Sequence, residues 1–174
     1  MSSFTQRLTG AAKLNSRIYE EVEHDSSANG QAMGVVLLSA ICAGIGGSSA
    51  GGVGGLIGLA LAGLLGWLMW AAVIYLVGYK MLASRHTKTD MGQLLRTLGF
   101  AQAPGLLLIL GALPLLGPLV GLVVRIWLLC AMVVAVRQAL DYDSTLRAVV
   151  VVVLGFFAYA LAFAVVYALL GISI

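Results

Sequence analysis

The sequence predicts an all-α integral membrane bundle of five transmembrane helices, preceded by an N-terminal interfacial amphipathic helix. Three observations carry this. Of the 174 residues, 61% are hydrophobic and only 10% charged, with a mean hydropathy of +1.03, well outside the range of soluble globular domains. The apolar residues gather into runs of the length a bilayer crossing needs, about 20 residues or somewhat fewer. The basic residues, finally, alternate from one connection to the next.

Residues 1–31 form a cytoplasmic amphipathic segment and residues 32–174 a single five-helix domain. In the first segment Phe4, Leu8, Ala11, Leu14, Ile18 and Val22 recur at three- and four-residue spacing, one face of a helix. Arg7, Lys13 and Arg17 flank that face, so the helix is expected to lie along the membrane surface and to anchor on anionic headgroups. Glu20 to Asp25 place negative charge ahead of the first crossing, where the helix dipole favours it. Scattered charges and the lack of a small-residue cleavage site argue against a secretory signal. Neither end of the chain has a lipidation pattern.

The first span is read at 32–47, short but continuous, and the second at 53–82, long enough to cross with tilt. A polar connection follows, with Thr89 as the expected N-cap of a short surface helix. The third span covers 102–113, with Gln102 and Pro104 at its entry because proline is favoured in a first turn. Pro114 and Pro118 then bracket a tight turn, since proline lacks the N–H that a continuing helix uses. The fourth span covers 119–136. After a DYDST reversal capped by Asp143 or Ser144, the fifth covers 148–174.

Basic residues stay on the cytoplasmic side of short loops. Arg7, Lys13 and Arg17 precede span one, Lys80, Arg85, Lys88 and Arg96 follow span two, and Arg137 and Arg147 follow span four. The other connections carry none, which predicts a cytoplasmic N-terminus and an external C-terminus. All seven acids belong to the same cytoplasmic segments. Arg125 is the exception: it lies in the apolar text GLVVRIWLLC, with no acid available in the outer half. An intramembrane charge costs roughly 3 kcal/mol on insertion scales and marks a functional hypothesis. Counted from Leu119, Arg125 lies about 9 Å below the outer boundary, shallow enough for its side chain to snorkel. The partners left to it are carbonyls of the 114–118 turn, Tyr167 at similar depth, the C-terminal carboxylate or a lipid phosphate. The first two make it a structural tie. The last makes it a lipid site, favoured if the short first and third spans thin the bilayer.

Small residues supply the packing surface. Gly47, Gly51 and Gly55 form one ladder, and Gly54, Gly58, Ala62 and Gly66 a second, with Ser39 and Ala43 continuing the theme. Such ladders let helix backbones approach where lipid removes the hydrophobic drive. They are expected to pack spans one and two together, with a surplus face for self-association. Trp67, Trp70, Trp127, Tyr75 and Tyr79 read as lipid-facing or interfacial anchors, His24 and His86 as solvated, and Cys42 and Cys130 as small apolar side chains. No catalytic triad, carboxylate pair or metal-ligand cluster appears at usable depth, so neither enzymatic activity nor a cofactor, metal or nucleic-acid partner is expected.

NSRIYEEVEHD, the Gly/Ala-rich first pair of spans, VGYKML, GFAQAP, the two-proline turn LPLLGP and RIWLLCAMVVAVRQALDYD together resemble the Yip1 domain family of five-helix membrane proteins. The resemblance covers nearly the whole chain and rests on layout and loose patterns. For eukaryotic members it implies a place in vesicle traffic and binding of Rab-type small GTPases through a cytosolic N-terminal region. Here that region is about thirty residues without a DLYGP-like motif. The compact form is more similar to the prokaryotic branch, for which the resemblance implies a place in the cytoplasmic membrane. The expected function is a non-enzymatic membrane scaffold or membrane-organising protein that works with lipid, with copies of itself or within a larger complex. The alternatives are a small transporter or channel, and an accessory subunit of a membrane assembly.

Overall fold

A computed structural model describes residues 2–47, 51–85, 87–113 and 115–169, with backbone only at 163 and 166–169. Helices α1 (Phe4–Ala12) and α2 (Ser16–His24) form a hairpin, and a 3-10 turn at Ser26–Ala28 leads into α3 (Asn29–Gly46). Helix α4 (Gly52–Ile74) runs on as a π-helical stretch, Tyr75–Met81. Helix α5 (Met91–Phe100) runs on as a 3-10 helix, Ala103–Ala112, and α6 (Gly117–Ala139) and α7 (Thr145–Leu169) complete the bundle. Five stretches are long and apolar enough to cross a membrane: Ser26–Gly46, Gly52–Met81, Met91–Ala112, Gly117–Ala139 and Thr145–Ala162. No strand occurs among the described residues.

The third crossing departs from expectation. Asp90, not Thr89, caps α5, in a capping box with Gln93 that satisfies two orphan amides at once. The helix is no surface element: Leu94, Leu98 and Phe100 are fully buried, and α5 packs against α2, α3, α4 and α6. The crossing therefore starts at Met91. Its second half coils as a 3-10 helix, entered when the Gly105 amide donates to the Gln102 carbonyl at 2.8 Å, next to Pro104, which has no amide to give. Runs of this coil beyond a few residues are uncommon. Here α3 lies closely along it: Gly46 backs onto the Leu108 carbonyl, Gly111 onto Gly46, and Gly105 onto Ser39.

The glycine ladders are accordingly not the contact surface. Gly51 has a left-handed backbone (φ 53) and precedes α4, so Gly47, Gly51 and Gly55 do not share one helix face. Gly54 and Gly58 have open space where a side chain would be, and Ala62 is exposed. Of the glycines in that ladder Gly66 alone meets a neighbour, the Tyr159 hydroxyl of α7, 3.2 Å from where a Cβ would stand. The close α3–α4 approaches belong to Gly44 against Leu59 and to Gly63 against Ala40.

Burial is graded along the bundle. At one end the α1–α2 hairpin, α5, the start of α3, the Trp70–Val77 stretch, Ala131–Leu140 and the start of α7 form a continuous core. Toward the other end the helices turn apolar side chains outward: Val53, Ile57, Leu61, Leu65 and Leu68 make an exposed stripe along α4, and Leu119, Leu122, Val123, Ile126 and Leu129 do so along α6. Lipid is the solvent these stripes suit.

Because Gly46 faces a backbone carbonyl that cannot move aside, Gly46→Ala should destabilise the protein by about 1–3 kcal/mol or more. Gly58→Ala, into open space, should leave stability unchanged or slightly raised. Thermal unfolding in detergent compares the two.

Candidate functional site

The hairpin breaks where Leu14 adopts φ 60, and Asn15 caps α2 by accepting from the Arg17 amide. The predicted single helix on the membrane surface is thus two helices. Their shared apolar face turns inward: Ala11, Tyr19 and Val22 are fully buried, and α2 packs on α5 and α6. Arg7, expected to reach headgroups, is only 2% exposed. Its guanidinium is paired with Glu21 at 2.9 Å and Asp25 at 2.6 Å and donates to the Gln31 side chain of α3 at 3.2 Å. A lone arginine that can close a local ion triad gains more there than at a hydrated surface. Lys13 and Arg17 remain exposed.

Arg96 fastens this hairpin to the bundle. Buried on α5, it donates through Nε to the Val22 and Glu23 carbonyls at 2.9 and 3.1 Å, through Nη2 to the Glu23 carbonyl, and through Nη1 to Asn29 at 3.1 Å. These are the open carbonyls of the last turn of α2, where a cation also meets the negative end of the helix dipole. The tryptophans add ties of the same kind and are not lipid anchors. Trp127 donates to the Ala12 carbonyl at 2.7 Å, Trp67 to the Leu95 carbonyl at 3.1 Å, and buried Trp70 to the Met132 sulfur at 3.0 Å. Tyr75 and Tyr79 stack at 5.0 Å beneath Lys80. The Tyr142 hydroxyl is shared between the Gly78 and Leu82 carbonyls at 2.8 and 2.9 Å, taking up acceptors that the π-helical turn leaves open.

Charge at this end responds to pH in two opposed ways. Glu21 is held down at about 2, first by hydrogen bonds from Ser2 and then by Arg7, and Asp25 also at about 2, by Ser27 and Arg7. Their contribution is present above the ordinary carboxylate range and is lost as pH falls toward 2. Glu23 is 2% exposed and is pushed up to about 7, first by desolvation, with Asp141 and Glu20 adding repulsion against the pull of His24 and Arg96. Its contribution is present below the ordinary value of 4.5 and is lost as pH rises through 7.

The second feature is a cleft of about 610 Å³ between α3, α4, α6, α7 and the 3-10 helix. Val36, Ala40, Ala43, Leu128, Leu129, Met132 and Phe156 give it apolar walls, and Ser39, Gln102, Arg125 and Tyr159 its polar groups. Arg125 and Gln102, separate candidates in the sequence, are thereby brought to one site, joined by Gly66. Arg125 lies about 12 Å along α6 from Gly117. It is exposed, one turn from the outward-facing Leu122 and Leu129, which places it on the border between the cleft and the lipid face. Among the described residues it has no ion-pair or hydrogen-bond partner. The expected structural tie to carbonyls of the proline turn is absent from the described part of that turn. The Tyr167 side chain, the C-terminal carboxylate and His86 lie outside the described residues. Ser39 and Tyr159 are the site residues that the sequence did not single out as such, since one hydroxyl in an apolar helix is a weak signal.

Two outcomes are expected of the hairpin. Arg96→Ala leaves the Val22 and Glu23 carbonyls short of donors, about 1–3 kcal/mol, and should open the Lys13–Arg17 link to limited trypsin digestion, whereas Arg137→Ala should not. Glu23→Gln should raise the unfolding temperature at pH 8, where the wild-type carboxyl is ionised, and leave it nearly unchanged at pH 5.

The model of the Yip1 domain matches residues 13–167, from the end of α1 through α7. No curated protein and no solved structure matches the chain. The match runs unbroken through all five apolar crossings and the second arm of the docked hairpin, and the chain therefore belongs to the Yip1 domain family as a multi-pass integral membrane protein.

Proposed function

We propose that this protein is a non-enzymatic membrane-organising scaffold, seated in a prokaryotic cytoplasmic membrane with its N-terminus inside and its C-terminus outside. The observation that carries the reading is the contrast between its two ends. One is clamped into a polar, tightly hydrogen-bonded cap by Arg7 and Arg96. The other presents exposed apolar stripes and an apolar-walled cleft to the lipid. A rigid cap on a lipid-adapted bundle suits a protein that holds partners or lipids in place. The orientation follows from the basic residues gathered in the hairpin and in the connections after α4 and α6.

A transporter or small channel is the rival, and the cleft is what tells against it. A conduit needs successive polar groups along its length, whereas Ser39, Gln102, Arg125 and Tyr159 are spread among apolar walls. Purified protein in liposomes should give no flux of ions or small anions above that of empty vesicles. Flux abolished by Arg125→Ala would overturn the scaffold reading. Native mass measurement after gentle solubilisation should give a species heavier than one chain and its lipids, from self-association or from a larger complex.

A further inference from the structure

The geometry points to the cleft beside Arg125 as a binding site for one anionic phospholipid of the surrounding bilayer, its phosphodiester on the guanidinium and an acyl chain between α3, α4 and α7. This deepens the scaffold reading and rests on it.

Charge comes first. An arginine about 12 Å inside a membrane helix is stable only when its donors are met, and among the described residues nothing meets those of Arg125. The same molecule pairs Arg7 with two carboxylates and Arg96 with carbonyls, whereas Arg125 is exposed at the border of the cleft and open to a ligand. The described acids lie elsewhere, in the hairpin and the polar connections. No anion of the described chain faces Arg125, and one supplied from outside would meet its donors. A phosphodiester suits it, because the guanidinium fork matches two phosphate oxygens.

Shape comes second. The cleft, at about 610 Å³, is in the size range of small-ligand sites. Its polar groups include the Gln102 amide, able to donate to a headgroup or ester oxygen. The rest is lined by Val36, Ala43, Leu128 and Phe156, which suit a hydrocarbon chain. Arg125 stands between this cleft and the outward stripe of α6, so a lipid reaches the site sideways with its head meeting the charge. A soluble anion would have no use for the apolar walls.

The test is native mass spectrometry of protein reconstituted with equal amounts of phosphatidylglycerol and phosphatidylcholine, then stripped by detergent. The wild type should retain one phosphatidylglycerol per chain in preference to phosphatidylcholine by about tenfold, the worth of one charge-assisted contact. Arg125→Ala should bring the two lipids to parity. Ala43→Leu, which narrows the cleft, should lower retention of both, and Lys13→Ala, an exposed charge elsewhere, should change nothing. Unfolding temperatures in phosphatidylcholine alone should agree between wild type and Arg125→Ala, since that side chain holds nothing within the described chain. Equal retention by wild type and Arg125→Ala, an equal loss in Lys13→Ala, or displacement of the phospholipid by added oleate would each overturn the assignment. Liposome flux keeps the two readings apart: solute movement sinks the scaffold while leaving headgroup selectivity intact, and indifference to headgroup sinks the lipid site while leaving the scaffold.

Discussion

The Arg96 guanidinium on the last turn of α2 is the contact on which the arrangement of this protein turns. A helix C-terminus presents carbonyls that no backbone amide can reach. Buried without donors, they would exclude α2 from the core. By filling them from α5, the chain can bury Tyr19 and Val22 completely. The hairpin thus becomes part of the bundle, and the Arg7 triad follows from that, since Glu21, Asp25 and Gln31 come within reach of one side chain. Arg7, which the sequence would give to headgroups, serves internal docking, as does Arg96.

The bundle is consequently of two characters. Where the hairpin covers it, helices meet through buried aliphatic and aromatic side chains, as in a water-soluble core. Beyond that cover, contact narrows to glycine and alanine approaches between α3 and its neighbours, and the helices diverge enough to leave the cleft. Packing in lipid draws on van der Waals fit alone, so a gap between diverging helices persists unless something fills it.

The five crossings were legible because hydropathy and the alternation of Lys and Arg are one-dimensional signals, but the start of the third, at Met91 and not at 102, was not, since α5 carries polar residues among its apolar ones. The same signals placed Arg125 and Gln102 in spans, though not in one cleft. What escaped was whatever depends on which face meets which. The three-and-four spacing from Phe4 to Val22 shows an apolar face without saying whether lipid or protein covers it, and the answer came from Arg96, 74 residues beyond Val22. Gly54 and Gly58 look like packing glycines yet face open space, while Gly44 and Gly63, outside the regular ladders, make the contacts. Tryptophans in apolar runs look alike whether their indole donates to a headgroup or, as with Trp127, to the Ala12 carbonyl.

The 3-10 coil of Ala103–Ala112 changes what counts as a short span. It advances about 2.0 Å per residue where an α-helix advances 1.5 Å, so ten residues reach about 20 Å in place of 15. Joined to α5, the crossing of 22 residues matches an ordinary bilayer without compressing it, and the residue count of the apolar text underestimates its reach. As plain α-helix the 22 residues would reach about 33 Å, and with ten of them in the 3-10 coil about 38 Å, so α5 completes the span and the stretched coil gives it room to tilt.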